Sequence, residues 1–248
     1  MPLPAFSVDN TLISKGVNLS TMKNLFVIAM IATIVSLFPV SLSAQIVNGS
    51  FEDTEVPSNA FFYFAGGTTI PGWTIGGSGY GAGIEVTNTD YWQASNGTNS
   101  LDLVGIYASS ISQDIPTFTG VTYTVSFDMS GNPGGGNPVK TIIVTADGGQ
   151  EATYTFDTSV EHNTTTDMGY SSKAYTFVAN GPITTLKFAA GPDYIYGPVI
   201  DNVAMASVTA QVCHRNNGSA TYKTMIVGKP AVAAHLAHGD TAGACVAQ

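Results

Sequence analysis

The sequence predicts an all-β protein built as an antiparallel sandwich. Three observations carry this. Val, Ile, Thr, Tyr and Phe recur in short runs broken by Gly, Pro and Asn, a composition that suits strands and turns. Stretches rich in the strong helix formers Ala, Leu, Glu and Lys are missing. Several segments alternate apolar and polar residues with period two, the mark of a strand with one buried face.

The clearest strand is 121–129. Val121, Tyr123, Val125, Phe127 and Met129 fall on one side, and Thr122, Thr124, Ser126 and Asp128 on the other. The same reading fits Ala152-Tyr154-Phe156, Tyr175-Phe177-Ala179 and Leu186-Phe188, while Ile142-Ile143-Val144 is apolar on both faces. Turn residues separate these runs at 131–138, at Asp147-Gly148-Gly149 and at Asn180-Gly181-Pro182. Short strands at this spacing predict one sandwich over 46–207.

Residues 208–248 differ from the rest. They hold both cysteines, Cys213 and Cys245, and three of the four histidines. In an exported chain two cysteines pair, and the loop they close is worth about 3–4 kcal/mol in the chain-entropy model. A site of two Cys and two His is the rival, but the spacing lacks the close Cys pair of a zinc finger.

The N-terminus reads as a leader. Met22 and Lys23 precede a nearly unbroken apolar run, Leu25 to Val40, followed by Ser41, Leu42, Ser43 and Ala44. Residues 22–44 therefore read as a signal peptide cleaved near Ala44–Gln45, or at Ser43–Ala44. The run is short for a bilayer span. Residues 1–21 read as a start-site extension ahead of the initiator Met22. No second long apolar run follows, so no membrane span is expected in the mature chain.

Charge narrows the partners. The formal net charge is −9, with only 8 Lys and Arg in 248 residues. That is too few for the basic face that a nucleic acid or an anionic lipid surface requires.

Several short motifs occur in a fixed order: Asn48-Gly-Ser-Phe-Glu52, Pro71-Gly-Trp73, Ile84-Glu-Val86, Ser100-Leu-Asp-Leu-Val-Gly105, Ile111-Ser-Gln113, Gly131-Asn-Pro133 and Gly197-Pro-Val-Ile-Asp-Asn-Val203. Together they resemble the bacterial choice-of-anchor C family and, more distantly, plant cell-wall proteins of a related uncharacterised domain family. The resemblance covers about residues 46–207. It implies a galactose-binding-like jelly roll, a fold common among carbohydrate-binding modules, and display at the cell surface or in the matrix.

The resemblance also implies that Glu52 of the opening motif and Asp201 of the closing motif meet. Alternation in the last strand places Asp201 with Val199, Val203 and Met205, facing the apolar side. A buried carboxylate needs a cation or several hydrogen bonds. A structural calcium ion on Glu52 and Asp201, with Asp53 and Asn48 as further ligands, answers that need. Backbone N–H donors to Asp201 answer it equally well.

Glycan or cell-wall polysaccharide is the expected partner. Aromatic rings offer flat faces to sugar C–H groups, and polar groups fix hydroxyls. Phe61, Phe62, Tyr63, Tyr80, Tyr91, Trp92, Tyr107, Tyr194 and Tyr196 lie in or near loop-like segments, and Tyr91 and Trp92 beside Asp90 and Gln93 form the best cluster, with Tyr63, Tyr107 and Tyr194 as further candidates. Trp73 reads as core. A structural or adhesive protein contacting other surface proteins is the alternative.

Catalysis has little support. Neither Gly-x-Ser-x-Gly nor His-Glu-x-x-His is present. The acids Glu85, Asp90 and Asp102 carry no distinguishing pattern. On a helix His235 and His238 would share a face and, with Asp240, could hold zinc for a hydrolase. A polar loop end beside a disulfide is the plainer reading of that tail, and the chain is expected not to be an enzyme.

Overall fold

The computed structural model describes residues 45–192, 195–215 and 221–246. The leader and the extension before it lie outside these residues, as does Tyr194.

Among the described residues fifteen strands follow one another: β1 (Phe61–Ala65), β2 (Thr69–Ile70), β3 (Trp73–Ile75), β4 (Gly83–Asn88), β5 (Asn99–Asp102), β6 (Ser110–Pro116), β7 (Thr122–Gly131), β8 (Val139–Ala146), β9 (Ala152–Asp157), β10 (Ser171–Val178), β11 (Ile183–Ala190), β12 (Pro198–Ser207), β13 (Thr209–Arg215), β14 (Tyr222–Gly228) and β15 (Thr241–Ala242). Two short helices join these strands among the described residues, α1 (Thr158–Glu161) and α2 (Lys229–Ala237). The first sheet runs β1-β4-β5-β12-β7-β10 and the second β2-β3-β6-β11-β8-β9. Every named pairing is antiparallel. The protein is thus an antiparallel β-sandwich of two six-stranded sheets, with a disulfide-closed C-terminal segment.

The core lies between the two sheets and follows the alternation of the sequence. Tyr123, Val125, Phe127 and Met129 of β7 point inward beside Ile84 and Val86 of β4 and Leu101 of β5. They meet Ile111, Ile115, Ile142, Val144, Leu186 and Phe188 of the second sheet. Trp73 is core as expected, and its indole N–H donates to the Asn48 carbonyl (3.0 Å).

The opening motif folds against the closing strand. Asn48 (φ 52°) and Phe51 (φ 62°) occupy the left-handed region and turn the chain. Val203 N then donates to Gly49 O (2.9 Å), fastening the first residues of the domain to β12.

One inward assignment fails. Asp201 faces the outer side of the first sheet, not the core. The register slips between Asp201 and Ala204, with Asn202 at φ 53°. This bulge returns Val203 to the core while Val199 and Asp201 stay outside.

A third sheet, β14-β13-β15, carries α2 against it, and Cys213 is bonded to Cys245. Only Val208 separates β12 from β13. Thr122 N donates to Thr209 Oγ1 and Gln211 Nε2 to Thr119 O, so this sheet leans on the end of the sandwich. Among the described residues no helix is long and apolar enough to cross a membrane.

Candidate functional site

The outer face of the first sheet is built from the other half of the alternation. Register places Tyr63 beside Glu85, Glu85 beside Asp102, and Asp102 beside Val199. One step along the strands, Phe61 pairs with Thr87, Thr87 with Ser100, and Asp201 with Asp128. Two cross-strand rows therefore run over this face, and both contain carboxylates.

Loops cover part of it. Trp92, Met168 and Val199 form a small cluster with Tyr170 packed against it. Gln93 N donates to Thr165 O, and Met168 N to Gln93 Oε1 (3.0 Å), which joins the 89–98 and 162–170 loops. Beside this cluster lies a cavity of about 210 Å³, lined by Phe61, Glu85, Tyr91, Asn132, Thr165 and Tyr196 among others.

The aromatic candidates divide in this frame. Tyr91 is 42 % exposed at the cavity wall, with Phe61 edge-on at 5.5 Å. Trp92 lines the cavity too but is only 3 % exposed, and its indole N–H donates to Ser100 Oγ (2.7 Å). It is a floor and an anchor for the loop, not an open platform. Gln93 holds the two loops together, and Asp90 sits exposed on the turn. Tyr63 donates to Ala82 O (2.9 Å) and lies over Gly83 and Gly105, where added Cβ atoms would collide with its ring. Tyr107 is exposed and pairs by a backbone bridge with Ala82.

Phe61 and Tyr196, named from sequence only among the loop aromatics, line the cavity, whereas Asn132 was not among the sequence candidates. Tyr196 is 39 % exposed and follows Ile195, both in the left-handed region (φ 61° and 48°). A β-branched residue there is strained. The loop tolerates it because Gly134 and Gly136 pass close to the Tyr196 ring and the Ile195 carbonyl, where side chains would not fit. The fully buried Lys140 donates from Nζ to the carbonyls of Gly135 and Tyr196, bracing the loop from the core side.

Two paired acids of β4 and β5 have raised carboxyls. Asp102 is buried and accepts from Asn132 Nδ2 (2.8 Å), Val104 N and Gly197 N. Burial lifts its carboxyl to about 7 against those bonds and the Lys140 charge. Glu85, beside it on β4, is raised from 4.5 to about 8, first by burial and then by the Asp102 charge. Glu85 therefore holds its proton more tightly than an exposed glutamate, and in that form it can donate through its O–H.

This has a stability consequence of fixed sign. The unfolded chain ionises Glu85 from pH 4.5, whereas the folded chain resists until about 8. Stability from this group is full below 4.5 and is lost as pH rises to about 8. Melting temperatures of Glu85→Gln and wild type should diverge through that window, the variant gaining, and run parallel above it. A pH-independent difference would contradict the assignment.

The acids expected to hold calcium are placed as follows. Asp201 Oδ2 accepts from Ser95 N and Asn96 N (2.8 Å each) and Oδ1 from Asn202 N (2.6 Å). Burial raises its carboxyl to about 7 against these bonds. Glu52 accepts from Thr98 N, Asn99 N and Thr98 Oγ1. The two carboxylates thus grip the 95–99 loop from either side, and Gly97 (φ 73°) lies where a Cβ would strike Glu52. The Asn48 side chain accepts from Asp53 N and donates to Pro71 O, and Asp53 is exposed. Backbone donors, the alternative open from sequence, surround Asp201.

In the C-terminal segment His235 and Asp240 do meet, but His214 of β13, not His238, is their partner. His214 Nδ1 and His235 Nδ1 lie 2.9 and 2.8 Å from the same Asp240 Oδ2. Their donor atoms all fall within 4.8 Å of one another, a set that can coordinate a metal ion and has nothing specific to calcium. The His214 bond, the Arg215 N–H and the His235 bond hold the Asp240 carboxyl well below the usual carboxylate range.

The profile of the proteins of unknown function DUF642 matches residues 44–206. The chain belongs to that family. No curated protein matches it. Among solved structures it is similar to a CBM61 module in complex with β-1,4-galactotriose (16 % identity, 54 % of this chain and 88 % of that one, TM-score 0.37). It is also similar to a family 35 carbohydrate-binding module from Clostridium thermocellum (8 %, 66 % and 98 %, 0.36). A third is the CBM22-1 xylan-binding domain of Paenibacillus barcinonensis Xyn10C (17 %, 60 % and 94 %, 0.36). At such identities and scores nothing about their ligands passes to this DUF642 chain.

Proposed function

We propose that this DUF642 protein is an exported, non-catalytic glycan-binding module whose ligand sits in the cavity on the outer face of the first sheet. The observation that carries this reading is the convergence of three partly exposed rings, Phe61, Tyr91 and Tyr196, around Glu85, which holds its proton more tightly than an exposed glutamate. Rings stack on the apolar faces of sugars, and a carboxyl O–H donates to a ring or hydroxyl oxygen. The cavity is smaller than the roughly 300–1,000 Å³ of drug-sized sites, so it suits a single sugar residue or a chain end. Affinity at one such site is modest, and several copies on one surface would multiply it.

Export is supported by the leader pattern of 22–44 and by the Cys213–Cys245 bond, which forms and persists in oxidising compartments. The polar rows of the sheet serve as scaffold: Asp102 positions Asn132 at the cavity rim and holds Gly197, next in sequence to Tyr196, and Asp201 and Glu52 fix the loop that follows Tyr91.

A glycan-array screen of the purified full-length protein tests the proposal. Wild type should retain a defined set of oligosaccharides. Tyr91→Ala and Tyr196→Ala should each weaken the best of them by about tenfold, the loss of one stacking contact of ~1–1.5 kcal/mol, with unchanged circular dichroism. Retention of full affinity in both variants would remove the cavity from the account.

A further inference from the structure

We propose that His214, His235 and Asp240 bind one divalent transition-metal ion of the zinc class. The three ligands arrive from separate elements. His214 lies on β13, His235 in the last turn of α2, and Asp240 in the turn that follows. Asp240 N and His238 N both donate to the His235 carbonyl, and Gly239 at φ 90° folds the chain back, so Asp240 returns beside the imidazole. Pairing of Cys213 with Thr241, and the bond of Cys213 to Cys245, close the other side.

The donor geometry points to an ion. Both Nδ1 atoms approach the same carboxylate oxygen, at 2.9 and 2.8 Å, and the rings stand nearly perpendicular with centroids 5.8 Å apart. A four-coordinate ion with bonds of ~2.0–2.2 Å holds its ligand atoms ~3.4 Å apart. To accept one, the two imidazole–carboxylate separations lengthen by about half an ångström, and the two imidazole nitrogens, which lie within 4.8 Å of each other, settle to the same spacing. Two imidazole nitrogens and one carboxylate oxygen select zinc, cobalt, nickel or copper over calcium and magnesium, which prefer oxygen. The second oxygen of Asp240 is oriented by Arg215 N (3.0 Å), the outer hydrogen bond such ligands use. The Asp240 side chain is 1 % exposed, whereas the imidazole side chains are partly exposed. Three protein ligands leave a fourth position for water or an outside donor.

A second observation supports the site independently. Among the described residues after Val208, the buried apolar side chains are Val212 and Cys213 alone, and α2 buries none. A segment with so small a core needs cross-links to hold its shape. The disulfide is one, and a metal joining strand, helix and turn is the second.

The test uses full-length protein stripped with a chelator, shown folded by circular dichroism, and titrated with zinc and with cobalt. One equivalent should bind, cobalt should give a visible d–d spectrum of nitrogen and oxygen ligation, and zinc should raise the melting temperature. His214→Ala and Asp240→Asn should each weaken uptake on the order of 100-fold, while His238→Ala and His162→Ala leave it unchanged. Millimolar calcium should not compete. The proposal is overturned if folded wild type takes up no stoichiometric zinc or cobalt, if calcium displaces them, or if uptake survives His214→Ala but is lost in His238→Ala.

Discussion

Gly49→Ala should destabilise the protein by more than about 3 kcal/mol, the upper end of overpacking costs. The reason is steric. A Cβ on residue 49 would stand 1.9 Å from the Val203 carbonyl oxygen and 3.1 Å from the Ile46 side chain. The Val203 oxygen belongs to the backbone of β12, which is fastened to β7 on either side of the bulge, at Asp201 and Ala204, and so cannot yield alone. Accommodation must break the Val203 N to Gly49 O bond and detach the opening motif from the closing strand. Loss of about 6–12 °C in melting temperature is the expected reading for a domain of this size. Gly67→Ala provides the contrast. Gly67 has nothing within 4 Å of its missing Cβ but a φ of 83°. Its substitution should cost only about 1 kcal/mol, the conformational penalty alone. Equal effects at the two sites would contradict the packing described for the opening motif.

Asp201→Ala should cost about 3 kcal/mol and also weaken the glycan site. Three backbone N–H groups, of Ser95, Asn96 and Asn202, lose their acceptor, and a donor left without one costs roughly 1–3 kcal/mol before water reaches it. The charge lost was itself poorly placed, since burial raises the carboxyl to about 7, and this offsets part of the damage. Asp201→Asn, which keeps one acceptor oxygen, should cost about half as much. Release of the 95–99 loop frees the segment that carries Tyr91 and Trp92. Affinity should therefore fall with stability in both variants, unlike Tyr196→Ala, which should lower affinity alone. Denaturant titration and binding on the same samples separate the two cases.

The strands were legible because burial on one face imposes period two on the sequence. Val121 to Met129 became β7, and the same signal located β9, β10 and β11. The outward half of that alternation was equally present in Glu85, Ser100 and Asp102. Its meaning depends on which strands lie side by side, and β4, β5 and β12 become neighbours only in the folded sheet. Asp201 was assigned to the wrong face because the bulge at Asn202 inserts a residue without any turn motif to announce it. Trp92 read as a platform from its place in a polar loop, yet Met168 and Val199, distant in sequence, bury it. The tail histidines show the same limit. Helical spacing paired His235 with His238, whereas the partner is His214, carried in by the β13 pairing and the disulfide. The Cys213–Cys245 pairing itself needed no geometry, because two cysteines in an exported chain have one intramolecular way to join.

The measurement that bears most directly on the glycan-binding account is a nuclear magnetic resonance titration of isotope-labelled protein with the best oligosaccharide from the array. The account predicts saturable shifts at Glu85, Tyr91, Asn132 and Tyr196, around the cavity on the outer face of the first sheet. Shifts confined to the larger cavity of about 790 Å³ beside Pro71, Trp73 and Gln113, or no shifts from a folded protein, would contradict it.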